Sequence, residues 1–332
     1  MKKKMSMRLR WLFLTIPTAL LFVGCQKDQD VFIPYELGAE DLKGQVSNLL
    51  DDIASSTEVF QWEVNDAHTF FTRNGSRLAV PANAFMTLDG SESLEGQIEL
   101  KIREVIHKGE MIKFQLPAQT SGRLLESLSA LHIEASLNGQ PLALRTGISI
   151  DWDIPAEEFT GDLNLYYGLE EDGYVATWAG ATEVYIDQPP VRAIKILTQE
   201  GESLNAYKAQ PQQLGWWNCS RFTMSEVSPE EMNLKVDLPL HFDDQNSAVY
   251  LVFENRRTVV PLDWNDIELD GQFSSPLVPV GEDIIVVAIA KGTLDRSFLG
   301  FQSLTTNRAS QTLTLPLFQR SLHTIQQYLG SL

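Results

Sequence analysis

The chain has 332 residues, of which 44 are acidic and 26 basic, and it carries a formal net charge of −18 at pH 7. A chain of this length can form two domains of ordinary size. Its negative charge disfavours nucleic acid and anionic lipid surfaces as partners, because both repel an acidic protein.

The first 24 residues have the three parts of a bacterial export signal. Basic residues are concentrated at positions 2–10, an apolar segment follows at 11–23, and Gly24 supplies the small residue that precedes a cleavage site. The apolar segment is shorter than the roughly 20 residues that a membrane-crossing helix needs. Residues 1–24 are therefore predicted to be a signal peptide.

A cysteine directly follows this signal. Residues 20–25, Leu-Leu-Phe-Val-Gly-Cys, resemble the lipobox of bacterial lipoproteins, with Phe22 where leucine is usual. The resemblance implies cleavage before Cys25, a thioether-linked diacylglycerol on its sulfur and a third acyl chain on the new amine. Several acyl chains together hold a protein on a membrane effectively permanently. The alternative is an ordinary secretory signal with a cysteine placed there by chance.

Residues 25–37 are predicted to be a tether. A lysine followed by acids at positions 27–30 resembles the surface-export tether of Bacteroidota lipoproteins, although a plain polar spacer would look the same. The expected location is the outer membrane, with exposure on the cell surface as a further expectation. The chain from Cys25 has 44 acidic and 26 − 5 = 21 basic residues, a net charge of −23. Only Cys219 remains beside Cys25, so the fold must rest on its core, without an intrachain disulfide.

Residues 38–188 are predicted to be a first β-sandwich domain with a leading helix. Glu40 and Asp41 suit the N-terminus of a helix, and Gly44 weakens its interior. Apolar residues recur at helical spacing at positions 42, 46, 49 and 53, and then alternate with polar ones, as in strands with one buried face. The clearest alternating segments are 60–64, 97–103, 131–137 and 148–154. Asn138-Gly139 is the clearest hairpin turn, because both residues tolerate a positive φ.

Residues 189–332 are predicted to be a second β-sandwich domain, set off by Pro189 and Pro190, which stiffen a connection. Apolar residues alternate at 234–240 and 249–253, and residues 284–290 are nearly all apolar, which indicates a strand buried on both faces. Apolar positions 322, 325 and 329 predict a short closing helix. The predicted fold is all-β: two antiparallel β-sandwich domains with a short N-terminal and a short C-terminal helix.

Two stretches resemble known proteins. The segment at 77–85, with Asp89-Gly90 and the strand at 96–105, is similar to a β-sandwich module of Bacteroidota surface lipoproteins, and distantly to the sandwich of ankyrins and netrin receptors. Residues 214–222 resemble a Gly-Trp-Ile-Asn-Cys-Asp-Arg-Phe signature further along those lipoproteins, with Trp217 and Ser220 replacing the usual residues. The resemblance implies architecture and location, and it carries over no catalytic residue.

Cys219 and the acidic pairs are weak candidates for chemistry. Cys219 could be a nucleophile, but no motif places a base beside it, and a buried cysteine packs as a small apolar side chain. Asp151 and Asp153 share a strand face and could seed a calcium site, although solvated outer faces explain such pairs more simply. The five histidines show no metal-binding spacing. We therefore expect no catalytic residue, metal or cofactor.

Aromatic residues are the remaining candidates for ligand contact. Trp216 and Trp217 are adjacent on a predicted strand, so one of them should face outward and could contact a ligand such as a sugar ring. Packing in a core is the alternative for both residues, and Trp152 follows the core face of its own strand.

These observations predict a lipid-anchored, non-catalytic outer-membrane lipoprotein that acts as a binding or scaffold module. Its partners would be the membrane, through acyl chains on Cys25, and another envelope protein. The first alternative is a glycan-binding surface lipoprotein that works beside a sugar importer. The second is a hydrolase, which would require a cavity holding two carboxylates about 5–10 Å apart.

Overall fold

The computed structural model describes residues 45–54, 57–90, 94–158, 161–185, 187–197, 203–223, 230–265, 271–292, 296–307 and 310–332. Cys25, the predicted signal peptide, the tether and the predicted helix start at Glu40 and Asp41 lie outside these residues. The described residues belong to one compact unit that spans 32–332. None of their helices has the length and apolar character needed to cross a bilayer.

The described residues are mostly β, which confirms the predicted fold class. The elements up to residue 222 are α1 (Gln45–Asp52), β1 (Glu58–Glu63), β2 (His68–Phe71), β3 (Arg77–Val80), β4 (Phe85–Thr87), β5 (Gln97–Val105), α2 (Lys108–Lys113), β6 (Gln119–Thr120), β7 (Arg123–Leu137), β8 (Gln140–Leu144), β9 (Asp151–Pro155), β10 (Asn164–Glu171), β11 (Tyr174–Gly180), α3 (Ala181–Val184), β12 (Arg192–Leu197), β13 (Ser203–Ala209) and β14 (Gly215–Phe222).

The remaining elements follow residue 230. They are β15 (Glu231–Met232), β16 (Leu234–Asp237), β17 (Ser247–Phe253), β18 (Val259–Pro261), β19 (Asp263–Asn265), β20 (Gln272–Ser274), β21 (Val278–Pro279), β22 (Asp283–Lys291), β23 (Ser297–Thr305), β24 (Gln311–Thr314), β25 (Phe318–Arg320) and α4 (Leu322–Gly330).

Two sheets form the first sandwich. Sheet A has nine strands in the order β1-β5-β7-β14-β10-β11, with β4, β6 and β8 attached, and sheet B has the order β12-β13-β9-β3-β2. Alternation along β5 turns Ile98, Leu100 and Ile102 into the core between the sheets, where all three are fully buried. Trp152 of β9 packs into this core from sheet B, as its strand position predicts.

A second pair of sheets follows. Sheet C has the order β18-β17-β22-β23-β25, and sheet D has the order β19-β20-β16-β24. Leu251 and Val286 of sheet C pack against Val236 and Phe273 of sheet D. The pairing of β16 with β24 is parallel, whereas the sequence predicts antiparallel sheets throughout.

The outer face of sheet C packs on part of the outer face of sheet A, together with α1, α2 and α4, and this contact forms a third core. The apolar run at 284–290 follows from this arrangement. Val286 and Ala288 face sheet D, and Val287 and Ile289 face sheet A. The prediction that this strand is buried on both faces is confirmed.

The predicted domain boundary at residue 189 does not coincide with the change of sheet. β12 and β13 pair with β9 in sheet B, and β14 lies between β7 and β10 in the middle of sheet A. The first sandwich therefore continues to Phe222. Pro189 and Pro190 stiffen a connection within one sandwich, because consecutive prolines limit the backbone whether or not the next strand returns to the same sheet.

Three of the four helices of the described residues, α1, α2 and α4, lie in the third core. α1 buries Val46 and Leu49, and Ile53 directly after the helix is also buried, as the helical spacing predicts. α4 buries Ile325 and Leu329 and confirms the predicted closing helix. Its N-cap is Ser321, whose Oγ accepts a hydrogen bond from the Thr324 amide at 3.2 Å. α2 and α3 have no counterpart among the predicted elements.

Candidate binding groove on sheet A

A groove of about 770 Å³ opens on the outer face of sheet A. Strands β5, β7, β10 and β14 form its floor and sides, and the turn between β7 and β8 contributes Gly139. The residues that line it are Glu99, Lys101, His132, Ile133, Glu134, Ala135, Ser136, Gly139, Pro141, Leu142, Tyr167, Gly168, Leu169, Glu170, Leu214 and Gly215.

The alternation of β5 and β7 explains why this floor is polar. Residues that alternate with the core positions face outward, so Lys101 lies opposite Glu134, and Arg103 lies opposite His132. Further along the same sheet face the outward residues are apolar and are covered by the third core, as Val105 shows. The groove is therefore the polar, uncovered part of a sheet face whose apolar part is buried.

The predicted Asn138-Gly139 hairpin supplies one edge of the groove. Both residues have a positive φ, 53° and 78°, as a tight two-residue turn requires. The turn joins β7 to β8, in which Leu137 is paired with Gln140 and Ser136 with Pro141. This prediction is confirmed, and the turn brings Gly139 and Pro141 to the groove wall.

Two of the three carboxylates in the groove have a cationic partner. Nζ of Lys101 lies 3.3 Å from Oε1 of Glu99, and a guanidinium nitrogen of Arg103 lies 3.8 Å from Oε1 of Glu134. Within the described part of the chain, the one ionisable group within ion-pair distance of Glu170 is His132, whose Nε2 lies 4.0 Å away.

His132 is the most buried ionisable side chain of the groove. Nδ1 lies 3.3 Å from Oε1 of Glu134. Burial, with a contribution from the charge of Arg103, lowers the pKa of His132 to about 4 although two carboxylates are close. The ring is therefore neutral at pH 7 and contributes no positive charge to the groove.

Tyr167 forms part of another side of the groove through an aromatic cluster. Its hydroxyl accepts a hydrogen bond from Nε2 of Gln213 at 2.9 Å, and its ring packs edge-on against Trp217 and Tyr185. Burial raises the pKa of Tyr167, and the charge of Glu170 adds to that effect. The hydroxyl thus stays protonated at neutral pH and serves as a hydrogen-bonding group.

The expectation that either Trp216 or Trp217 faces outward is wrong. Trp217 is 0% exposed in the core between sheets A and B, and Trp216 is 5% exposed in the third core. Both faces of β14 are covered, because sheet B lies on one side and the second sandwich on the other. The alternative reading, packing in a core, holds for both residues, and neither is among the groove residues.

The other sequence candidates are structural. Cys219 is fully buried, and burial raises the pKa of its thiol well above the usual range. Asp153 is buried rather than solvated, and it pairs with Arg77 at 2.5 Å and with Lys208 at 3.6 Å. No group of three or more metal-ligating side chains occurs among the described residues.

Asp151 shares this ion-pair network at its exposed end. Nζ of Lys208 and Nε2 of Gln210 each donate to its carboxylate at 2.9 Å. Burial opposes ionisation, but these hydrogen bonds and the charges of Lys208 and Arg77 outweigh it, so the pKa of Asp151 is lowered. The pair at 151 and 153 thus joins β9 to β3 and β13.

Sequence reasoning missed the buried carboxylate of Glu104. Oγ of Ser129 donates to Oε1 of Glu104 at 3.2 Å, and the hydroxyls of Thr72 and Ser76 also donate to this carboxylate. Burial raises its pKa, although the three hydrogen bonds act in the opposite direction. Position 104 continues the inward series of Ile98, Leu100 and Ile102, and this periodicity was the available signal.

Comparisons with known proteins add little to this geometry. No family model matches the chain, and no curated protein matches it. Among solved structures, gamma-CGTase from alkalophilic Bacillus clarkii aligns with 78% of this chain at 9% identity and a TM-score of 0.21. The alignment covers 41% of that protein, so this chain spans about two fifths of its length. A TM-score of this size carries no argument about fold or function.

Proposed function

We propose that this protein is a lipid-anchored outer-membrane lipoprotein of the Bacteroidota type, and that its body is a non-catalytic binding module. The export signal with Cys25 directly behind it supports the anchor. The resemblance of residues 77–105 and 214–222 to surface lipoproteins supports the location. The groove on sheet A supports the binding role.

The groove is the observation that carries the proposal. Ligand sites are concave, of about 300–1,000 Å³, and combine apolar walls with a few convergent polar groups. The groove has about this volume, with His132, Glu134 and Glu170 converging on its floor and Leu142 and Leu214 among its walls. A rigid sheet positions all of these polar groups, as a specific site requires.

A ligand screen on the purified body tests the binding role. Thermal unfolding would be followed with a panel of small polar molecules, amines, oligosaccharides and peptides, because a ligand of the native state raises Tm. Ser136→Trp fills the groove and should abolish any Tm increase. Ser303→Trp, an exposed position on sheet C, is the matched control. A panel ligand that stabilises both variants equally would bind elsewhere and contradict the proposal.

Membrane fractionation tests the anchor. Cys25→Ser removes the proposed acylation site, and we expect the variant to leave the membrane fraction while its body stays folded. The alternative of an ordinary secretory signal predicts that the unchanged protein is already soluble after export. Mass spectrometry of the N-terminus from cells would show an acylated Cys25 if the proposal is right.

The glycan-binding alternative has lost its named aromatic residues, since Trp216 and Trp217 are buried. Tyr167 is the remaining aromatic side chain at the groove. The oligosaccharides of the same screen test this alternative directly. Stabilisation by an oligosaccharide that Ser136→Trp abolishes would place the protein in the glycan-binding class.

Hydrolysis is a second candidate function because of one observation. Glu134 and Glu170 lie on opposite edges of the His132 ring, at 3.3 Å and 4.0 Å from its two nitrogens. Pairs that cleave glycosidic bonds are spaced about 5–10 Å apart. Release of a chromophore from aryl glycosides, lost in Glu134→Gln and in Glu170→Gln, would favour a hydrolase over a binding module.

A further inference from the structure

The charges around His132 are unevenly compensated. Glu99 has Lys101 as its partner, and Glu134 has Arg103. Glu170 faces only the neutral ring of His132 within ion-pair distance among the described residues. With these partners counted, the groove keeps one uncompensated negative charge, and this charge lies at the end formed by β10.

The hydrogen-bonding capacity of His132 leads to the same position. A neutral imidazole has one N–H donor and one nitrogen lone pair, so it can donate to only one of two flanking carboxylates. Glu134 and Glu170 are on opposite nitrogens. The other nitrogen therefore presents its lone pair to a carboxylate oxygen. Neither of these two acceptors can donate a hydrogen bond to the other, so both need an external donor.

The position of Arg103 indicates which of the two carboxylates, Glu134 or Glu170, lacks a donor. It supplies positive charge to Glu134, whose Oε1 also lies closer to the imidazole, at 3.3 Å against 4.0 Å for Glu170. The N–H of His132 is best placed on Nδ1, toward Glu134. Nε2 and Glu170 then form an acceptor pair, which a group with several N–H donors and a positive charge would satisfy.

We infer that the groove binds a small organic cation whose primary ammonium group lies between Nε2 of His132 and the carboxylate of Glu170. An ammonium has three donors and one charge, which match the two acceptors and the single uncompensated carboxylate. Leu169 and Leu214 line the groove nearby and give an alkyl chain apolar contact. The negative charge of the whole chain raises the local concentration of such a cation.

This inference rests on the proposed binding function and names the ligand class of the same groove. The ammonium could belong to a free amine or to a lysine side chain of a peptide. The volume of the groove, about 770 Å³, suits a small molecule and favours the free amine. A lysine-containing tetrapeptide is therefore the second arm of the test.

The test is a titration of the full body, labelled on its histidine rings, by NMR. Butylamine is the probe, and butanol is its neutral analogue of nearly the same shape. We expect saturable shifts of the His132 ring signals with butylamine and none with butanol. Glu170→Gln should weaken the binding about tenfold, because a hydrogen bond to a charged group is lost. Glu171→Gln, at the next and exposed position of β10, should leave it unchanged.

Each other outcome overturns the inference. Equal binding of butanol, or of butylamine to the wild type and Glu170→Gln, shows that Glu170 does not select a cation. Equal weakening by Glu171→Gln shows nonspecific attraction to an acidic surface. If the tetrapeptide binds and butylamine alone produces no shift of the His132 signals, the ligand is a peptide and not a small molecule. A neutral ligand could raise Tm in the wild type but not in Ser136→Trp. That result would support the proposed binding function and contradict this inference.

Discussion

Trp216 and His132 occupy directly opposite positions on β14 and β7, and the centroids of their rings lie 4.7 Å apart. Trp216 belongs to the core between the two sandwiches, and His132 lies in the groove. The ring that carries the groove's hydrogen-bonding groups is therefore fixed by a side chain of that core. Docking of the second sandwich and the geometry of the groove are coupled through this contact.

The first prediction concerns pH. Burial lowers the pKa of His132 to about 4 from 6.5, so the unfolded chain binds a proton more readily than the folded protein. The contribution of the neutral His132 ring to the stability of the folded protein is therefore present above pH 6.5 and is lost as pH falls toward 4. This amounts to about 3 kcal/mol of unfolding free energy over the full interval. His132→Gln should lack this component.

Urea denaturation at several pH values between 7 and 4 measures it. As pH falls, the unfolding free energy of the wild type should decrease relative to that of His132→Gln. An NMR titration of the His132 ring should give a midpoint near 4. A stability difference that is constant over this range would contradict the burial of the ring.

The second prediction concerns Gly168 on the groove floor. A Cβ at this position would lie 2.8 Å from Cβ of Trp216 and 3.2 Å from Cγ2 of Val175, both in packed parts of the third core. Gly168→Ala should therefore destabilise the fold by about 1–3 kcal/mol, the usual cost of overpacking. Urea denaturation measures the change.

Gly180 on the neighbouring strand β11 is the matched control. The three atoms nearest to a Cβ there all belong to the side chain of Glu183, the first at 3.2 Å, and that side chain can move. Gly180→Ala should change stability by less than Gly168→Ala does. Equal effects of the two substitutions would show that contact with Trp216 is not the cause.

Periodicity predicted the parts of this fold that depend on one strand at a time. Ile98, Leu100 and Ile102 on one face and the apolar run at 284–290 are local patterns, and the structure confirms both. Burial of Trp216 was not predictable in this way. Adjacent residues on a strand point to opposite faces, so the sequence predicts that one of Trp216 and Trp217 lies on an open face. The second sandwich, which is formed later in the chain, covers that face.

The groove was beyond sequence reasoning for the same reason. Glu134 shares a strand face with His132 because both residues lie on β7, but Glu170 becomes a neighbour of His132 only because β14 pairs with both β7 and β10. That strand order is a property of the assembled sheet and has no local pattern. The change of sheet after Phe222 has no local pattern either, because Pro189 and Pro190 indicate a stiff connection but not the sheet to which the next strand belongs.

The third prediction compares two serines on β7. Oγ of Ser129 donates to the buried carboxylate of Glu104 at 3.2 Å. Oγ of Ser127 is buried and has no hydrogen-bond partner among the described residues. Ser129→Ala should cost about 1–3 kcal/mol, because Glu104 loses a donor in a buried site. Ser127→Ala should be neutral or stabilising, because it removes an unsatisfied buried group.

Each variant loses the same atom, the serine Oγ, and the two positions are two residues apart on the same strand. The change in strand propensity is therefore the same in both. Chemical denaturation of both gives the comparison. Destabilisation by Ser127→Ala as large as that by Ser129→Ala would mean that loss of packing, and not the hydrogen bond to Glu104, sets the cost.

The fourth prediction concerns the contact of α2 with α4. A Cβ at Gly109 would lie 1.8 Å from the carbonyl oxygen and 2.5 Å from the carbonyl carbon of Leu329. Both are backbone atoms of α4, and Leu329 is fully buried in the third core, so no side-chain rotation relieves the clash. Gly109→Ala should force α4 away from α2 and cost about 3 kcal/mol or more.

Hydrogen exchange separates this effect from general unfolding. In Gly109→Ala the amides of α4 should exchange faster, while those of sheet B, on the far side of the first sandwich core, should keep their protection. Gly330→Ala is the control, because a Cβ there has no other atom within 4 Å. Because α4 shares its core with Trp216, which holds the ring of His132, Gly109→Ala should also broaden the His132 signals. Wild-type stability and unchanged α4 protection in Gly109→Ala would contradict the close approach of the two helices.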